Sequence, residues 1–159
     1  MICGKRVLDY LNMVNDQNHQ ISVKLSAKMD KTAQAVERLQ EENFRLKGQV
    51  GQLVDDMCRK EAERYAGSGS VLIFMDGMDA DSVRKLADAV TQTCQGCCAV
   101  FSGNADGSYK YAIGEKDGDL RQFTKEMNAK LNGRGGGKPF FVQGSVQASE
   151  KEIRNFFEQ

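Results

Sequence analysis

Between residues 36 and 57 the chain places Val36, Leu39, Asn43, Leu46, Val50, Leu53 and Met57 in alternating steps of 3 and 4. This is the a/d seam of a helix that packs along another helix, sustained over about three heptads. Leucine takes each d position (Leu39, Leu46, Leu53), and the a positions are Val36, Asn43, Val50 and Met57. An asparagine at one a position costs stability while restricting register and oligomer state. The spacing leaves two partners open. One is the same helix in a second subunit, giving a homodimer. The other is the preceding helix, from Lys5 to about Lys28, folded back as a hairpin through Ser26–Asp30. That helix carries Val7, Leu8, Leu11, Val14, Ile21 and Leu25 at helical spacing. Asp30 is placed to cap the second helix.

Glycine then changes the grammar. Residues 5–66 contain only Gly48 and Gly51, whereas most other glycines follow the joint Ala66-Gly67-Ser68-Gly69-Ser70. The division predicts a helical dimerisation region over 1–66 and a second domain over 67–159. In the second part Val71–Met75, Cys97–Phe101, Tyr109–Ile113 and Phe140–Val142 read as strands, with a turn at Asn104-Ala105-Asp106-Gly107. Asp79–Thr93, Leu120–Leu131 and Ser149–Phe157 read as amphipathic helices. The order β-α-β-β-α-loop-β-α predicts a small mixed-sheet α/β domain behind a long helical hairpin or coiled coil, α+β in overall class.

Lys+Arg and Asp+Glu total 22 each, so any nucleic-acid contact has to come from a local patch. No apolar run approaches the roughly 20 residues that span a bilayer. The N-terminal MICGKRVLDYLN has no secretory h-region, and the odd set Cys3, Cys58, Cys94, Cys97 and Cys98 reads as reduced thiols, so a cytoplasmic location is expected. Cys94-Gln95-Gly96-Cys97-Cys98 lacks the second ligand pair of a structural zinc site and heads an apolar strand, which favours core cysteines. His19, the only histidine, reads as a solvated surface residue. Asp76, Asp79 and Asp81 fit a helix N-terminus better than a magnesium site. No catalytic or metal residue is assigned.

Asn132–Gly144 reads NGRGGGKPFFVQG. It has neither a Walker signature nor the strand-to-helix setting of a dinucleotide loop. Gly135, Gly136 and Gly137 can expose backbone N–H groups in a nest for an anionic oxygen, with Arg134 offering a fork and Lys138 a point charge. A helix cap with a flexible crossover accounts for one glycine only. Arg134, Gly135, Gly136, Gly137 and Lys138 are therefore the expected phosphate or nucleic-acid contacts.

The run Gly133-Arg134-Gly135-Gly136-Gly137-Lys138-Pro139, with Gln143-Gly144, resembles the signature of the DHH-associated domain that closes alanyl-tRNA synthetases and AlaX-type alanyl-tRNA editing proteins. Cys3-Gly4-Lys5-Arg6-Val7-Leu8-Asp9-Tyr10 resembles the last strand and exit of the family's zinc-dependent editing domain. The resemblance covers essentially the whole chain. It implies a C-terminal piece: dimerising helices and a non-catalytic module that binds tRNA, with tRNA(Ala) expected. It implies no cofactor in this part, with zinc and the hydrolysis of mischarged aminoacyl esters (or alanyl-tRNA ligation) residing elsewhere in the parent. The HxxxH and CxxxH zinc patterns are absent here. Two alternatives stand beside it: a substrate-binding domain of a DHH-type phosphoesterase, and a purely structural oligomerisation element. Phosphoesterase relatives carry histidine where this chain has Lys138.

Overall fold

The computed structural model describes residues 2–103 and 107–158, without the side chains of Ile2 and Cys3. The turn expected at 104–106 lies outside the described residues. Two compact units emerge, Met1–Gly51 and Gln52–Gln159.

The first unit is helical, as its periodicity requires. Helix α1 runs Ile2–Lys24, and α2 (Thr32–Arg64) begins in this unit and continues into the next. The segment that resembles a strand exit, Cys3–Tyr10, is therefore the start of α1. Its apolar residues recur at helical spacing, and the elements of this unit provide no strand to pair with. A 3-10 turn, Met29–Lys31, joins the helices. Asp30 lies within that turn and does not cap α2. The polar work of the corner falls to other side chains. Asn18 Nδ2 donates to the Met29 carbonyl at 3.1 Å, Thr32 Oγ1 donates to Asn18 Oδ1 at 2.8 Å, and Ser22 Oγ donates to the Ala27 carbonyl at 2.6 Å.

The two helices do not bury the heptad seam between them. Val36, Leu39, Leu46 and Val50 are exposed, as are Val7, Leu8, Leu11 and Val14 of α1. Two apolar stripes thus remain bare in one copy of the chain. At the far end of α2 the situation changes: Cys58 and Ala62 are buried, with Val54, Met57 and Tyr65 packed against the same core. Within the second unit Met57 packs on the core, whereas Leu53, one turn earlier, is 69% exposed.

The second unit, hereafter the body, is a five-stranded sheet in the order β1-β2-β3-β5-β4. The strands are β1 (Val71–Asp76), β2 (Cys98–Gly103), β3 (Ser108–Gly114), β4 (Arg134–Lys138) and β5 (Phe141–Gln147). Only β1 and β2 are parallel, and α3 (Ala80–Thr93) makes the crossover between them. The pairs β2–β3, β3–β5 and β5–β4 are antiparallel. Helix α4 (Leu120–Lys130) precedes β4, and α5 (Glu150–Phe157) closes the described chain. Side chains supply the helix N-caps. Asp79 accepts from the Ser82 N–H, Asp119 from the Arg121 N–H, and Ser149 forms a capping box with Glu152.

Alternation along the strands sorts the core into two layers. Val71, Ile73, Cys98, Val100 and Ala112 pack with α3 and the end of α2. Lys85 Nζ meets Asp55 Oδ1 at 2.8 Å across that helix pair. Ala99, Phe101, Tyr111, Ile113, Val142 and Val146 face the other way, onto α4 and α5. Phe101 is fully buried there, with Phe157 edge-on at 5.8 Å between centroids. Full burial of such a ring is worth roughly 1.5–3 kcal/mol.

The glycine run departs from its sequence reading. Arg134–Lys138 is a strand, not a loop, and it forms a hairpin with β5 through Pro139-Phe140. None of Gly135, Gly136 or Gly137 has positive φ, so no nest forms in the backbone. Close approach explains two of them. A Cβ on Gly135 would come within 2.4 Å of the Gln143 carbonyl and of Tyr111 Oη, and one on Gly137 within 2.3 Å of the Phe141 carbonyl. A Cβ on Gly136 would meet nothing within 4 Å.

Candidate nucleic-acid interface

Register places the predicted residues on a defined face. Arg134 pairs with Ser145, which pairs with Lys110. Gly136 pairs with Gln143, which pairs with Ala112, and Lys138 pairs with Phe141, which pairs with Gly114. Directly paired residues share a face. Ala112 and Phe141 belong to the α3 side of the sheet, so Arg134, Gly136, Lys138, Lys110, Gln143 and Ser145 do as well. Helix α3 packs over β2 and β3, and all of β4 is exposed. The outer strands on this face therefore form a ledge beside α3, floored by glycine and polar side chains and edged by cations.

Along the ledge Arg134 and Lys138 are separated by roughly 14 Å of extended strand, and Lys110 and Arg134 by roughly 10 Å across three strands. Two grooves result. One, of about 340 Å³, is lined by Gly136, Gly137, Lys138, Phe140, Phe141 and Gln143, with Arg84 and Asp88 of α3 opposite. The other, of about 440 Å³, holds Arg134 with Lys110, Ser145 and Asn132. Gly136, Gly137 and Lys138 are thus brought together, while Arg134 belongs to the neighbouring groove. The two cations line separate grooves. They can meet separate phosphates.

The charges here are available. Among the described residues no ion pair engages Arg134, Lys110 or Lys138. Lys138 Nζ lies 5.7 Å from the Phe140 ring centroid. Lys110 also reaches the start of α3: the Asp79 carboxyl is held below its usual range, first by the hydrogen bond from Ser82 and further by Lys110 and Lys85. Lys110, Arg84, Gln143 and Phe140 escape a reading from sequence. Lys110 and Gln143 join the ledge through cross-strand pairing, and the one available signal is the period of 2 around Lys110 in its strand.

The other candidates take structural places. Cys94 and Cys98 are buried in the α3-side layer, while Cys97 packs against the opposite one. Burial pushes the Cys97 and Cys98 thiols up to about 12, so both are protonated at neutral pH. His19 is exposed on α1. Among the described residues no group of three or more His, Cys, Asp or Glu is placed to hold a metal ion. No helix is long and apolar enough to cross a membrane.

Comparison with known proteins adds the following. The chain is similar to the alanine–tRNA ligase of Psychrobacter sp. (strain PRwf-1), 23% identical over 162 residues, covering 94% of this chain and 18% of that protein. It is 30% identical over 79 residues to the alanine–tRNA ligase of Acholeplasma laidlawii (strain PG-8A), covering 50% of this chain and 9% of that protein. The chain thus spans less than a fifth of the length of these ligases. Over 58% of this chain its fold is similar to that of the C-Ala domain from Aquifex aeolicus alanyl-tRNA synthetase, with a TM-score of 0.50 at 19% identity, covering 92% of that chain. The family model described as the DHHA1 domain matches residues 68–159, which take in the sheet, its three helices and the glycine strand. With more than half of its 159 residues matched in this way, the chain belongs to the DHHA1 domain family.

Proposed function

We propose that the body is a non-catalytic tRNA-binding module of an alanyl-tRNA synthetase-related protein, either a ligase or an AlaX-type editing protein, working in the cytoplasm. The observation that carries this reading is the ledge. Among the described residues Arg134, Lys138 and Lys110 make no ion pair within 4 Å, and they lie on an uncovered sheet face whose central position, Gly136, lets a backbone approach closely. Such an array holds separate phosphates and recognises its ligand by shape, which suits a folded RNA. The tRNA is tRNA(Ala) by analogy with the ligases. Zinc-dependent ester hydrolysis or alanylation then belongs to residues outside this chain.

The bare stripes of α1 and α2 support a second component, self-association into a homodimer through Val36, Leu39, Asn43, Leu46, Val50 and Leu53. Taken alone, that observation favours a purely structural role. Filter binding of tRNA across a salt series separates the two. Arg134→Ala with Lys138→Ala is expected to weaken binding and lower the log–log salt slope by at most about two. An unchanged slope removes the ledge from the binding site, and the absence of saturable binding at low salt leaves the structural role alone.

A further inference from the structure

We propose that Phe140 is a base-stacking residue, its ring taking the flat face of an exposed nucleobase beside Lys138; this rests on the tRNA-binding reading above. The chain has eight phenylalanines. In the body, Phe74, Phe101, Phe123, Phe141, Phe156 and Phe157 are all buried or half-buried, and Phe140 alone is exposed, at 49%. Its neighbour Phe141 packs on the core. The core therefore has its aromatic at this corner already, and Phe140 is left pointing outward.

The ring is carried on a fixed mount. Pro139 restricts φ of the two-residue turn. The Leu120 N–H donates to the Pro139 carbonyl at 2.7 Å, and the Glu115 N–H donates to the Phe140 carbonyl at 3.0 Å. The turn carbonyls are thus tied to the first residue of α4 and to the residue that follows β3. An apolar ring exposed on an anchored turn loses little freedom on binding, which is what a stacking platform needs.

The surroundings specify the occupant. The groove that Phe140 borders has glycine at Gly136 on its face, with open space where a side chain would stand, so a flat ring can lie close to the strand. Its volume of about 340 Å³ is at the small end of ligand sites. Gln143 in its floor offers both donors and an acceptor to a base edge. Lys138 stands over the Phe140 ring, where it can meet the phosphate of the stacked nucleotide. A ring with Lys138 beside it, in a groove whose other charged residues are Arg84 and Asp88, suits a nucleotide better than an apolar protein surface. Base–aromatic stacking is tolerant of base identity, so the ring contributes affinity and position more than sequence discrimination.

The chain contains no tryptophan, so Phe140→Trp introduces a single indole at this position. Titration with tRNA(Ala) transcript is expected to quench that indole and leave affinity within about twofold of the unaltered chain. Phe140→Leu is expected to bind about tenfold more weakly with the salt slope unchanged, because no phosphate contact is lost. A bright indole at saturation, together with unaltered affinity for Phe140→Leu, overturns the stacking role while the tRNA-binding reading stands. If the unaltered chain fails to bind tRNA, both fall. If Phe140→Leu loses self-association in sedimentation and keeps its tRNA affinity, the ring lies in a protein interface and the proposal is overturned.

Discussion

The first unit and the body solve the same problem in opposite ways. Each has apolar residues at regular spacing. In the body the spacing is answered within the chain: Val83, Leu86 and Val90 of α3 meet Ile73, Cys98 and Val100 of the sheet, and all six are buried. In the first unit Leu39, Leu46 and Val50 are answered by nothing, although their periodicity is at least as regular. Helix α2 contains both cases, bare at Leu53 and packed from Val54 onward. Periodicity therefore states that a face is to be covered, and the location of the cover is separate information.

The contrast can be broken or sharpened by experiment. The largest effect is expected from Leu39→Ala with Leu46→Ala. If a second copy covers the seam, each truncation weakens association by about 2–5 kcal/mol, measured by sedimentation equilibrium. Thermal unfolding of the body stays within about 0.5 kcal/mol. A body destabilised by these changes would end the contrast between the units. An intermediate effect separates two glycines one residue apart. Gly135→Val drives a side chain into the Gln143 carbonyl and Tyr111 Oη and is expected to cost about 1–3 kcal/mol or more in urea unfolding. Gly136→Val enters open space and is expected to stay within about 0.5 kcal/mol. Equal costs would mean that the close approach across β4 and β5 is not what selects glycine.

The smallest effect concerns helix starts, which carry side-chain caps in the body and a 3-10 turn at α2. The Asp119 carboxyl is held down at about 2 by its hydrogen bonds from Arg121. A group whose folded pKa lies below its unfolded value stabilises above the unfolded pKa, near pH 4, and loses that contribution as pH falls toward 2. Asp119→Asn keeps a capping oxygen and removes the charge. The variant is expected to be slightly less stable at pH 6, with the two curves converging by pH 2 in an acid titration followed by circular dichroism. A gap that persists at pH 2 would assign the difference to packing.

Much of this architecture was legible in the sequence, and the exceptions share a cause. The strand at Val71 and the helix after Asp79 announce themselves through continuous apolar residues and a 3.6-residue period. Strand β4 does not, because Arg-Gly-Gly-Gly-Lys has no alternation and glycine has little preference for strands. What makes it a strand is its partner β5, together with Tyr111 Oη, against which Gly135 and Gly144 both lie. The ledge was half visible for a related reason. Arg134 and Lys138 stand out beside three glycines, whereas Lys110 becomes their neighbour through Ser145, a relation that exists only once register is set. The seam was fully legible as a pattern, and its two candidate partners were not distinguishable from it.

Strand β4 closes its end of the sheet, with β5 on one side and, among the described residues, no further strand on the other. A free edge of that kind is a template on which a foreign strand can grow. Glycine gives such an invader no side chains to interdigitate with, Arg134 and Lys138 repel a like-charged copy, and Pro139 ends the ladder without a donor. The residues proposed to meet phosphate thereby also protect the chain from joining its neighbours edge to edge. If the helices do bring two copies together, this safeguard falls at the point where raised local concentration makes it most useful.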